Sequence, residues 1–201
     1  MPNDKFESYI EIFRANHSIL RASRAIRLGI PEYVIYEMVR KGELIKETRG
    51  LYRLSESRPL GNPDFVQVSL LIPKGVLCLI SALYFHELTT QIPQYVYVAL
   101  PRAVKKSRIK YPPTKFFYRS DLQYQAGIHE YAIDGVGVRI YDKEKTIADC
   151  FMYRNQIGGE IALEALKDYM RGSSPYIHLL MEYARIDRVE KLMRPYIETL
   201  Q

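Results

Sequence analysis

Tyr33, Tyr36, Glu37, Arg40 and Lys41 lie within nine residues of one another, and Lys46, Arg49 and Arg53 follow within the next dozen. These side-chain types at this spacing suit contact with nucleic acid. Guanidinium and ammonium groups neutralise phosphates, and tyrosine hydroxyls hydrogen-bond to them. Arginine also reads guanine edges in the major groove, while a carboxylate such as Glu37 accepts from cytosine but repels phosphate. A second basic set occupies residues 102–119, where Arg102, Lys105, Lys106, Arg108, Lys110, Lys115 and Arg119 occur with no acid among them. A loop carrying that charge can clamp a DNA backbone, meet an acidic partner, or simply be solvated.

Other chemistries find less support. His17, His86, His129 and His178 have no metal-ligand spacing, and position 90 is threonine, so His86-Glu87 does not open an HExxH motif. Asp142, Glu144 and Lys145 could form a nuclease-like acid–lysine cluster after a strand. They read better as the acidic first turn of a helix capped by Asp142. No glycine-rich phosphate loop is present, no residue is nominated as catalytic, and no metal or cofactor is expected. Cys78 and Cys150 stand far apart among apolar neighbours and read as buried thiols.

The elements that must position the first set can be read from periodicity. Phe6, Tyr9, Ile10 and Phe13 recur at helical spacing. A short second helix from about Arg21 stops at Gly29, where the chain needs a residue tolerant of positive φ. Pro31 opens a third helix, which Gly42 ends. At about 100° per residue, Ile35, Met38 and Val39 fall inward, and Tyr33, Tyr36, Glu37 and Arg40 point outward. Two β-prone pieces, LIKET and LYRL, then flank Arg49-Gly50 as a hairpin turn. Helix, helix, sharp turn, helix, hairpin is the order of a winged helix-turn-helix.

Residues 55–63 hold two prolines and a glycine without apolar periodicity, which divides the chain into residues 1–58 and residues 59–201. The second part predicts an α+β domain. Helices are expected over 63–72 and 80–88, and strands over 94–100, 115–119, 129–133 and 136–141. The last two strands join at Asp134-Gly135. A helical C-terminus follows from residue 142, and the sheet is expected to be small and antiparallel.

Composition sets the remaining bounds. The chain has 201 residues, 47% hydrophobic and 26% charged, with a formal charge of +6, which admits polyanionic partners without demanding one. Residues 1–58 carry 11 basic and 8 acidic side chains, a net charge of only +3. A winged helix that serves protein contacts is therefore the second reading. No signal peptide is visible, and the longest apolar run, residues 75–85, is shorter than a membrane span, so a cytoplasmic protein with no membrane association is expected.

The segment GIPEYVIYEMVRKGELIKETRGLYRL resembles the AbiEi family of antitoxins. So do GVLCLISALYFHEL, YVYVALPR and DGVGVRIYDKEKTIADCF further along. These are the antitoxin and transcriptional-regulator members of type IV toxin–antitoxin, or abortive-infection, phage-defence systems. The resemblance implies a winged helix that binds inverted repeats in double-stranded DNA upstream of its own operon. It also implies a C-terminal domain that counteracts a nucleotidyltransferase-like toxin without forming a stable complex. Matching motif positions, the DNA contacts would fall on Tyr33, Tyr36 and Arg40 of the recognition helix and on Lys46, Arg49 and Arg53 of the wing. Glu32, Tyr33 and Glu37 make this helix less basic than that of relatives, and the loop over 102–119 would supply the missing charge.

Overall fold

The structure is a computed structural model that describes residues 6–58, 61–104 and 109–200. Its N-terminal part runs α1 (Glu7–Arg14), β1 (Ile19–Arg21), α2 (Ala22–Arg27), α3 (Glu32–Arg40), β2 (Leu44–Thr48) and β3 (Leu51–Leu54). The α2–α3 turn is closed by Gly29 at φ +96°, and the Ile30 amide reaches back to the Ala25 carbonyl at 3.0 Å. That backbone bond satisfies a helix-end carbonyl in the way a left-handed C-terminal residue allows. Gly50, at φ +76°, turns β2 into β3. The strand β1, which is too short for its pattern to show in the sequence, pairs with β3 on the side opposite β2, giving a three-stranded antiparallel sheet in the order β1-β3-β2.

Phe6, Phe13, Ala25, Ile30, Ile35, Met38, Leu44 and Leu54 close a core beneath these elements. Ile19 and Leu51 face away from it and pack with residues of the following part, including Val66, Val136 and Val138. A polar contact adds to that junction, where Arg21 Nη1 donates to the Leu70 carbonyl at 3.3 Å. Just past it, the Gly61 amide donates to Asp134 Oδ2 at 2.9 Å.

The second part is built on a five-stranded sheet. It contains α4 (Pro63–Leu71), β4 (Val76–Leu77), α5 (Leu79–Phe85), β5 (Val96–Pro101), β6 (Thr114–Arg119), α6 (Asp121–Gln125), β7 (Ile128–Ile133) and β8 (Val136–Tyr141). The strand order is β6-β5-β4-β8-β7. The sheet is mixed, which corrects the expected antiparallel one: β5 pairs with β6, and β4 with β8, in parallel. The physical reason lies in the connections. β6 begins at the same end of the sheet as β5, with Thr114 opposite Val96, so the two strands run in the same direction. Only β7 and β8 are joined by a tight turn, and they are antiparallel as a hairpin requires.

The period-two alternation of strands divides the apolar residues between two layers. Leu77, Val96, Val98 and Leu100 face α4 and the N-terminal part. Val76, Tyr97, Ala99 and Tyr141 face the other layer. That layer holds α5 and the C-terminal helices α7 (Lys143–Met152), α8 (Arg154–Ile157), α9 (Gly159–Met170), α10 (Ile177–Ile186) and α11 (Glu190–Leu200). Among the described residues no helix is long and apolar enough to cross a membrane.

Candidate nucleic-acid interface

Helix α3 is oriented by three buried side chains, Val34, Ile35 and Met38. Val39, expected inward, is only half-buried against the core, and Val34 takes the deeper place. Of the four side chains expected to point outward, Tyr33 is 69% exposed, Tyr36 55% and the Arg40 side chain 76%, whereas the Glu37 side chain is only 22% exposed. Tyr36 donates its hydroxyl to Glu32 Oε1 at 3.3 Å, and Arg40 Nη2 stands 4.0 Å from Glu37. Both contacts are at the surface, where pairs contribute little and exchange readily for another anion. Lys41 follows the helix and is exposed. Behind this face, burial and the neighbouring Tyr36 and Glu32 push the Tyr52 phenol up.

The β2–β3 hairpin presents Lys46 and, at its tip, Arg49 to solvent. Arg53 does not belong with them. Its side chain is 8% exposed, with Nε 2.6 Å from Glu47 Oε1 and Nη1 donating to the Ser57 carbonyl at 2.7 Å. The pairing register places Arg53 opposite Ile45 and Ile19 at the centre of three strands, so its guanidinium is spent on holding the hairpin to the turn that follows. The expected phosphate contact from Arg53 is therefore corrected to a structural role.

The basic window splits in the same way. Arg102 and Lys110 are exposed. Lys105, Lys106 and Arg108 lie outside the described residues. Lys115 stands over the Tyr95 ring, 4.2 Å from its centroid. Arg119 is wholly buried, with Nη2 2.7 Å from Asp149 Oδ2, because alternation along β6 turns it inward against α7.

Arg119 joins a sealed ionic network in the helical layer. Lys145 Nζ donates to Asp149 and, at 2.8 Å, to Asp187, and all three side chains are fully buried. Burial alone would raise the Asp149 carboxyl, yet Arg119 and Lys145 together hold it below its usual range. Burial, and then the adjacent Asp149, push Asp187 up to about 7. Asp142 caps α7 as expected, accepting from the Lys145 amide at 2.7 Å. Glu144 accepts from the Tyr169 hydroxyl. The acid–lysine cluster of this stretch is thus packed, with the Lys145 ammonium closed off by two aspartates. Cys78 and Cys150 are also buried, and burial raises both thiols.

One feature escaped the sequence reading. Arg21, Arg24 and Arg27 recur every third residue into and along α2, a stripe visible in the sequence. They line a cleft of about 660 Å³ whose far wall holds Arg139 of β8. Only the tertiary fold brings Arg139 there.

Comparison with known proteins bears on the N-terminal part first. Residues 7–55 match the family described as a transcriptional regulator, AbiEi antitoxin. The matched segment is the one that carries α1 to β3. No curated protein matches the chain. Among solved structures, the crystal structure of the RV2827C protein from Mycobacterium tuberculosis aligns with 90% of this chain and 72% of that one. Its TM-score is 0.59 at 12% sequence identity, which is a similarity of fold.

Proposed function

We propose that this protein is a DNA-binding antitoxin of a type IV toxin–antitoxin system that represses its own operon. In this reading residues 1–58 form a winged helix-turn-helix. Helix α3 enters the major groove with Tyr33, Tyr36 and Arg40, and Lys46 and Arg49 on the β2–β3 wing hold the flanking phosphates. One observation carries the reading. The segment that matches the regulator family is the segment whose third helix turns two tyrosines and an arginine into solvent, beside a hairpin whose tip arginine has no ion pair among the described residues. Residues 59–201 would then supply the antitoxic function against a nucleotidyltransferase-like toxin, acting without a stable complex, and the reading assigns no catalytic step to them.

The test is binding of the full chain to the DNA directly upstream of its gene, against random duplex of equal length, across a salt series. Several phosphate contacts give a steep fall of affinity with salt. A preference of roughly a hundredfold or more for the upstream DNA lies within the range of specific binders. Weak binding without preference would refute repression and move the function of α3 to protein contacts, a reading favoured by Glu32 and Glu37 on its face.

A further inference from the structure

The cleft between α2 and the β7–β8 hairpin is lined by four arginines from elements far apart in sequence. Arg21, Arg24 and Arg27 form one wall at steps of about 60° around the helix axis, and Arg139 stands on the other. Among the described residues none of the four lies within ion-pair distance of a carboxylate. Elsewhere on the surface Arg14 holds three, Arg171 holds Asp168, and Arg185 and Arg194 share Glu190. Glu130 is the single acid in the lining. Like charges left unpaired in a concave site focus a positive potential into it.

Three of the arginines are also held in place. Arg139 Nη1 donates to the Tyr124 hydroxyl at 2.9 Å, and that hydroxyl donates to the Lys74 carbonyl at 2.6 Å. Arg21 spends one donor on Leu70, and Arg24 Nη2 reaches Asn16 at 3.4 Å. Each guanidinium carries five N–H donors, so most remain unspent. The hairpin closes tightly over the cleft's end. A Cβ on Gly135, which has φ +77°, would meet His17 Nδ1 at 2.7 Å. Leu70, Pro73 and Val136 give the cleft an apolar side.

We propose that this cleft is a binding site for a phosphorylated ligand of nucleotide size. Forked arginines match phosphate oxygens two at a time. A volume of about 660 Å³ falls within the range of small-molecule sites, and the apolar side suits a flat base. Two sources share this chemistry: a free nucleoside di- or triphosphate, and the sugar–phosphate backbone of a bound duplex. The site does not depend on the assignment of α3, since its walls include β8 and α4.

The experiment titrates the full chain with fluorescently labelled ATP and GTP, using inorganic tripolyphosphate as competitor, and separately with duplex DNA across a salt series. The same titrations are run on Arg24→Gln/Arg27→Gln, on Arg139→Lys, and on Arg171→Gln as a control outside the cleft. Arg24 and Arg27 are exposed, so their replacement leaves the core untouched. Saturable nucleotide binding that tripolyphosphate displaces, weakened about tenfold or more in the double variant and retained by Arg171→Gln, would establish the free nucleotide as the source. No nucleotide binding, but a salt slope for duplex lowered by about 2 in the double variant, would establish the DNA backbone. Neither effect would overturn the site. A Tyr33→Ala variant that loses sequence preference while keeping nucleotide binding would separate this site from the proposed reading helix.

Discussion

Two groups of cations in this molecule have opposite fates. In the N-terminal part Arg40, Lys46 and Arg49 stand in solvent, and in the helical layer Arg119 and Lys145 are sealed among aspartates. All five are basic residues in amphipathic elements, and nothing in their type distinguishes them. What differs is the geometry of the element beneath. A helix at the edge of a small core exposes half its circumference, and a hairpin tip exposes everything. A strand whose inward side is closed by a helix, as β6 is by α7 at Arg119, leaves an inward arginine nowhere to go except an ion pair. A buried charge of this kind serves the fold, because removing its partner strands a charge in low dielectric. An exposed one is weakly tied and can be claimed by a ligand.

The comparison is sharpest at Lys145. Lys145→Met removes the cation shared by Asp149 and Asp187 and should lower unfolding stability by about 3–5 kcal/mol, read from urea denaturation. A loss below about 1 kcal/mol would mean the network relaxes or takes up water. The same network gives a pH signature. Asp187 has a folded value of about 7 against an ordinary 3.8, so the folded state holds its proton more tightly. The stability from that proton is full below about pH 4 and lost as pH rises through about 7, a change on the order of a few kcal/mol. Asp187→Asn mimics the protonated form and should flatten this fall in urea midpoints between pH 4 and 7. The opposite contribution of Asp149, lost as pH falls, should remain. Between the two groups stands Arg53, basic, on the hairpin, yet buried. Arg53→Ala should cost about 1–3 kcal/mol and loosen the hairpin, visible as faster amide exchange at β2.

At the exposed end, Arg49→Ala should leave the melting temperature nearly unchanged and weaken binding to cognate and random duplex alike, lowering the salt slope by about 1. Tyr33→Ala should reduce the preference for the cognate site with little change on random DNA. Equal losses from both on both DNAs would break the division between reading helix and phosphate-holding wing.

The sequence on its own determined the local elements with strong periodicity or punctuation. Gly29, Pro31, Gly42 and the Arg49-Gly50 turn marked off α3 and its hairpin because those positions are fixed by backbone sterics that neighbours do not alter. Asp134-Gly135 did the same for β7 and β8, and Asp142 for the start of α7. The outward face of α3 followed from helix geometry alone. Pairing across the chain was decided only by the tertiary structure. The three residues of β1 and the two of β4 are too short to carry a pattern, and the parallel neighbours in the sheet depend on where long connections return. The same holds for the fate of each charge. Arg53 and Arg119 look no different from Arg49 and Arg102 until the strands around them are placed, since burial is a property of what packs against a residue rather than of the residue. Arg21, Arg24 and Arg27 were a stripe in the sequence, and they became one wall of a cleft only when the fold set Arg139 across from them.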